Sequence, residues 1–322
     1  MQKLSQKNIE KVILENYIEY QHLFIEFQSD FLLGLYSRYQ SVENGNLVLY
    51  YAKQTHQNIL RQRDYDLNFN LSYDKFWENH QQIKPKKKTI IKVAQDIFLP
   101  KETVRRKILQ LLKTKVLSTK NKNIGWLPSE QYKKSYNVVV DKEIKGIGRL
   151  MSFICEKINL PISKEEATEE IKEKFSFYWF HFLDTQLKYL RLWGKQFDDR
   201  ELILIFLQVA HLFISKVKKK KLSLQNLYSN PNLIKDFISS SISATSVAHV
   251  TGIPRATCIR KLEHLVKLKL ISKDKISKRY YIIPEAISES LISNNLTKET
   301  VKLFNYFFFV CVRAINVKIS NQ

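Results

Sequence analysis

The same text occurs twice in this chain. Residues 92–118 read KVAQDIFLPKETVRRKILQLLKTKVLS, and residues 246–272 read SVAHVTGIPRATCIRKLEHLVKLKLIS. Set with Pro100 opposite Pro254, the two share Val93/Val247, Ala94/Ala248, Thr103/Thr257, Arg106/Arg260, Lys107/Lys261, Leu111/Leu265 and Ser118/Ser272. Most remaining positions exchange one apolar residue for another. The match extends outward with small drifts of the kind that loop insertions produce. Phe27, Val42, Glu43, Leu47 and His56 match Phe182, Phe197, Asp198, Leu202 and His211. Downstream, Phe153-Ile154-Cys155 matches Phe309-Val310-Cys311. The repeating unit is therefore half the chain, far longer than a solenoid repeat. It predicts two modules, 1–162 and 163–322, related by an internal pseudo-two-fold axis. The join around Ser163 and Glu166 has the spacing of a capping box and enters a helix directly.

Each module has one coarse order. A long amphipathic helix comes first, with Tyr20, Phe24, Phe27, Phe31 and Leu35 on one face. A second helix follows near 46–62 and 201–217. A last helix spans about 141–158, and 297–317 in the second module. The aromatic runs at 175–182 and 306–309 are apolar on several faces, which predicts packing between the modules. Segment 64–88, with Trp77 and the basic run KPKKK, fits no defined element.

Between the outer helices lies a short helix, a tight turn, a basic helix and a hairpin. That is the order of a winged helix-turn-helix, expected at about 86–130 and 232–286. The fold class is thus mainly α with small β wings. In the basic helix, Val104, Ile108, Leu111 and Leu112 form the core stripe, as do Cys258, Leu262, Leu265 and Val266. At 100° per residue Thr103, Arg106 and Gln110 lie opposite, as do Thr257, Arg260 and His264. Lys101 and Arg255 open the helices, Arg105 adjoins the first face, and Lys107 and Lys261 flank it within predicted reach of phosphate. An arginine fork takes guanine O6 and N7 together, and threonine reads a thymine methyl. Lys120 and Lys122 sit in the first wing. Lys273, Lys275, Lys278 and Arg279 sit in the second, which is two residues longer. Hairpin lysines suit phosphate or minor-groove contact. They also protect sheet edges, so alone they decide little. Pro128 and Pro284 end the second strands.

The charge supports a polyanionic partner. Lys and Arg number 53 against 31 for Asp and Glu, a formal +22. The longest apolar runs, 202–217 and 306–312, are shorter than the ~20 residues of a membrane span. With no signal-peptide pattern at the N-terminus, the expectation is a cytoplasmic protein with no membrane partner.

The segment TGIPRATCIRKLEHLVKLKLIS resembles the winged helix of MarR-type and IclR-type bacterial transcription regulators, and the order of outer helices resembles MarR-type subunits. That resemblance implies double-stranded DNA as partner, outer helices that make the dimer, recognition helices in successive major grooves and a small-molecule effector. It assigns base reading to Arg255, Ala256, Thr257 and Arg260, and to Lys101, Glu102, Thr103 and Arg106. Here one chain, as a monomer, would act as a pseudo-dimer. Two departures stand out. Phe98 replaces Gly252 in the turn, which predicts a differently shaped first turn. Glu102 replaces Ala256 on the DNA face, where it repels phosphate or accepts from cytosine N4.

Other readings stay open. A tandem winged-helix replication initiator would bind direct repeats and open strands, and a protein-binding adaptor would have little use for the charge. An enzyme is the least supported, since no phosphate loop, catalytic triad order or metal spacing occurs, and no cofactor is expected. His56 and His211 are read as satisfied core histidines. Cys155 and Cys311 are read as small buried side chains, with oxidant sensing the alternative.

Overall fold

The computed structural model describes residues 4–160, 162–197, 199–221, 241–282 and 296–320. The fold is mainly helical, with two small antiparallel sheets of two strands each. The helices before the first sheet are α1 (Gln6–Glu15), α2 (Tyr17–Tyr39), α3 (Val42–Tyr65), α4 (Phe76–Gln82), α5 (Ile90–Ile97) and α6 (Lys101–Lys113). Strands β1 (Ser118–Lys120) and β2 (Asn123–Gly125) follow. Then come α7 (Glu130–Lys157), α8 (Lys164–Glu173), α9 (Phe175–Gly194), α10 (Glu201–Lys219), α11 (Ala244–Thr251) and α12 (Arg255–Lys267). The chain closes with β3 (Ser272–Lys273), β4 (Tyr280–Tyr281) and α13 (Leu296–Ser320). The predicted positions Asp198, Ile283 and Pro284, with the parts of the second predicted unit at 232–240 and 283–286, lie outside the described residues.

Helix starts follow side-chain caps. Ser41, Thr89 and Ser243 accept from the backbone N–H three residues on and open α3, α5 and α11. At the join, Ser163 Oγ accepts from Glu166 N–H at 3.1 Å, while the Glu166 carboxylate accepts from Ser163 N–H at 2.7 Å. The expected capping box is present.

The core is built by exchange between the N-terminal and C-terminal parts. Helix α2 packs along α10, and α3 packs along α9. In the same way α1 meets α13 and α7 meets α8. Phe182 lies between Phe27 (ring centroids 5.8 Å apart) and Phe31 (5.3 Å), and Phe24 meets Phe304 edge-on at 4.7 Å. The aromatic runs therefore pack between the two parts, as their all-round apolarity predicts. Within this seam Gln28 and Gln186 exchange amide hydrogen bonds at 2.6 and 3.2 Å, which satisfies both buried carboxamides toward each other.

Three expectations need revision. Helix α7 starts at Glu130, well before 141, because tertiary contacts override the β-branched run Val138-Val139-Val140. The segment around Trp77 forms the short α4, fixed by Trp77 Nε1–H donating to Asn137 Oδ1 at 2.9 Å. Among the described residues one stretch, Leu296–Val317, is long and apolar enough to cross a membrane, longer than the runs visible in the sequence. Half of its apolar window is buried inside the fold, where it serves as a core helix against α1 and α9.

Cys155 and Cys311 are both fully buried. Burial pushes the Cys155 thiol up to about 12 and Cys311 well above the usual thiol range, which suits inert core side chains rather than reactive thiols. His56 is buried, stacked on Phe76 at 4.7 Å, and neither ring nitrogen has a hydrogen-bond partner among the described residues. It is a core histidine but not a satisfied one. His211 is only partly buried and faces His22. His80 Nε2 sits 2.7 Å from the Trp126 carbonyl.

Acid should therefore destabilise the fold through His56 and His80. Burial pulls the His80 pKa down to about 4, against its bond to Trp126, and holds His56 well below the ordinary value of 6.5. The unfolded chain binds more protons between those limits. The stability these groups contribute is full above about 6.5 and is lost as pH falls toward 4. Glu143 offsets part of this loss, since burial raises its carboxyl to about 7 and it holds a proton in the fold. Urea midpoints at neutral and mildly acidic pH test the point: His56→Leu should narrow the gap between them.

Candidate nucleic-acid interface

The two helix–turn–helix–hairpin segments use the same backbone devices. Helix α5 ends at Phe98 with φ 55°, and α11 ends at Gly252 with φ 70°. Both turns enter the left-handed region, so the expectation of a differently shaped first turn fails. Glycine reaches that region freely, and a Cβ built at Gly252 meets none of the described residues within 4 Å. Phe98 adopts it at a steric cost, and other contacts hold it there. Arg200, buried just before α10, donates Nη2–H to the carbonyls of Ile97 (2.8 Å) and Phe98 (2.9 Å). Gly194 makes room, since a Cβ there lies 3.0 Å from the guanidinium.

Each basic helix is anchored by one lysine. Lys107 pairs with Glu43 at 3.0 Å and reaches Ser41 and Asn44 at the start of α3. Lys261 pairs with Asp199 and with Glu201 (3.0 Å) at the start of α10. Burial pulls the Lys261 pKa down, but the two carboxylates more than compensate. These two ammonium groups point beneath their helices, so their expected role as phosphate contacts is corrected: both are inward anchors. The reason is steric. Each lies beside the apolar stripe, and its methylene stem carries the charge inward to acids from distant sequence.

The outward face carries the remaining cations. Lys101, Arg105, Arg106, Arg255 and Arg260 are exposed, and Thr103 and Thr257 are partly exposed beside them. Among the described residues Arg106 and Arg260 make no hydrogen bond or ion pair. Arg105 does: its Nε–H and Nη2–H fork onto the Glu102 carboxylate, which they hold below its usual range. Glu102 thus neutralises a neighbour rather than standing free. Arg255 Nε–H donates to Thr245 Oγ1 at 3.1 Å, tying the start of α12 to α11.

The hairpins differ. Strands β1 and β2 pair Lys120 with Asn123, and the tip residues Asn121 (φ 53°) and Lys122 (φ 62°) form a two-residue turn of the I′ kind. Strands β3 and β4 pair Lys273 with Tyr280 and leave a six-residue tip, 274–279. Between its outer pairs the second hairpin is two residues longer, as the sequence offset indicates. Lys122, Lys275, Lys278 and Arg279 are exposed. Lys120 Nζ–H reaches the Gln81 carbonyl, and Lys273 is tied to Glu263 over the Tyr280 ring.

Sequence reasoning left out Lys86, Lys87 and Lys88, which are exposed just before α5. Pro85 packs so closely on Gly125 that a Cβ there would come within 2.5 Å of it, which sets this basic run beside the first hairpin. The run was visible as KPKKK, but nothing local tied it to the wing. Among the described residues no group of three or more His, Cys, Asp or Glu side chains is placed to hold a metal ion.

The chain matches no protein-family model, no curated protein and no solved structure.

Because Gly252 has open space around its Cα, substitution there tests backbone strain alone. Gly252→Ala should cost about 1–2 kcal/mol in urea unfolding, the penalty of a left-handed non-glycine residue.

Proposed function

We propose that this chain is a sequence-specific double-stranded DNA-binding protein, a cytoplasmic transcriptional regulator that acts as a monomer with its two halves in the roles of two subunits. The observation that carries the reading is the matched pair of units. Each has a left-handed turn, a basic helix anchored inward by one lysine, an exposed arginine on the outer face (Arg106 or Arg260) and a lysine-bearing hairpin. On this reading α6 and α12 are recognition helices of duplicated winged helix-turn-helix units. The reciprocal packing of α2 with α10 and α3 with α9 replaces a dimer interface. The resemblance to MarR-type regulators and the formal charge of +22 support the same partner.

The matching positions are not equivalent in charge. Glu102 occupies Arg105 in the first unit, whereas the second has Ala256 and Ile259 at those places. The second unit is therefore assigned the tighter reading of its half-site. An effector site is proposed at the groove of about 1210 Å³ where Phe69, Phe177, Tyr306 and Phe309 meet Arg63 and Arg313.

Two sets of variants test this. On duplex selected from a random pool, Arg260→Ala should cost roughly 1–3 kcal/mol and relax one position of the site. Lys275→Ala should weaken all sequences alike and reduce the salt slope by about 0.9. A flat salt response of the wild type would sink the reading in favour of a protein-binding adaptor.

The anchors behave differently. Lys107→Ala or Lys261→Ala should lower folding stability by about 1.5–3 kcal/mol, because charged hydrogen bonds are lost. The salt slope of whatever protein remains folded should not change. A slope reduced as in Lys275→Ala would mean that the ammonium reaches phosphate after all.

A further inference from the structure

The tip of the second hairpin holds an apolar residue where a sheet edge ordinarily carries charge. Ile276 is 92% exposed, the most exposed large hydrophobic side chain among the described residues. Its neighbours Lys275, Ser277, Lys278 and Arg279 are all exposed too. Single surface hydrophobics are common, but hairpin tips protected against edge-to-edge pairing carry lysine rather than isoleucine.

The tip is also rigidly built. Asp274 N–H donates to the Arg279 carbonyl at 2.8 Å, and Lys278 N–H donates back to the Asp274 carbonyl at 3.0 Å. The Asp274 carboxylate accepts from Ser277 N–H at 2.6 Å and is held below its usual range by the Ser277 hydroxyl first and this N–H second. The base of the hairpin is fixed in turn. Tyr280 exchanges backbone hydrogen bonds with Ile242 at 2.8 and 2.9 Å, and its hydroxyl donates to Glu263 of α12 at 2.7 Å. The isoleucine thus stands on a closed turn tied to the basic helix. None of these bonds involves its side chain.

The first hairpin offers a contrast within the same molecule. Its tip is Asn121-Lys122, shorter and wholly polar. It can neutralise phosphate but has nothing to insert.

We propose that Ile276 enters the minor groove of bound duplex DNA and opens one base step, with Lys275, Lys278 and Arg279 on the flanking phosphates. The inference rests on the DNA-binding reading above. An aliphatic wedge suits this role: it partly unstacks neighbouring bases, and the deformation is offset by apolar burial and by the extra backbone contacts that a bent duplex allows. Flexible pyrimidine–purine steps deform at the least cost, so the wedge selects a TA or CA step beneath the second hairpin, at a position no side chain reads by hydrogen bonds. The first hairpin selects no such step.

The test uses the full chain and its selected duplex, carrying 2-aminopurine at successive positions across the site and a fluorophore pair at the ends. Wild-type protein should raise 2-aminopurine fluorescence at one step on the second half-site and shorten the end-to-end distance. Ile276→Ser should abolish both signals and lose about tenfold in affinity on a TA or CA step. Ile276→Leu should restore both. Wild-type binding with no fluorescence change at any position overturns the wedge and leaves the DNA-binding reading standing. So does an Ile276→Ser variant that bends DNA as the wild type does. Failure of the wild type to bind any duplex overturns both. The side chain is exposed, so the urea midpoint of Ile276→Ser should equal that of the wild type.

Discussion

The arrangement of the two basic helices depends on one charged node beneath them. Asp199, Arg200 and Glu201 are consecutive residues at the start of α10. The middle one satisfies two carbonyls at the end of α5, and its neighbours hold the lysine of α12. Glu43, which holds the lysine of α6, also acts electrostatically on Arg200. Burying a guanidinium is costly unless its donors are met; here Nη2 meets two backbone carbonyls, while Nε is buried without a partner among the described residues. Those same bonds keep Phe98 in a conformation that phenylalanine seldom takes. Gly45 occupies the position that matches Arg200, so the link runs in one direction only.

The long helices explain why the node holds its shape. Each of the pairs α2–α10 and α3–α9 joins an early helix to a late one, with Phe182 pinned between Phe27 and Phe31. The starts of α3 and α10, which supply Glu43, Asp199 and Glu201, are therefore fixed by packing on both parts of the chain. Displacing one basic helix would require repacking a core that closely filled interiors resist.

Much of this was legible in the sequence. Apolar spacing placed α2, α3, α6, α9, α10 and α12, and Ser163 with Glu166 marked the entry to α8. The all-round apolarity of 175–182 pointed to a seam. What escaped notice depends on partners far away in sequence. Lys107 and Lys261 flanked the outer face on a helical wheel because the acids that draw them in lie sixty or more positions off. Phe98 looked unable to make a glycine turn because Arg200 has no local signature. Trp77 sits in a helix of seven residues, too short for periodicity to register. The early start of α7 was hidden by residues that prefer strands until Tyr136 packs against Trp126.

The interleaving of early and late helices governs how the chain is born. Helices α2 and α3 leave the ribosome more than a hundred residues before the α9 and α10 faces that cover them. At about 5–20 residues per second, the faces of Phe24, Phe27 and Phe31 wait on the order of ten seconds without their partners. For that interval the nascent chain presents an uncovered amphipathic surface. Release of an incomplete chain would leave that surface bare. A protein assembled from two separate subunits would face no such delay within each chain. A single polypeptide that closes its core across its whole length accepts a long vulnerable synthesis.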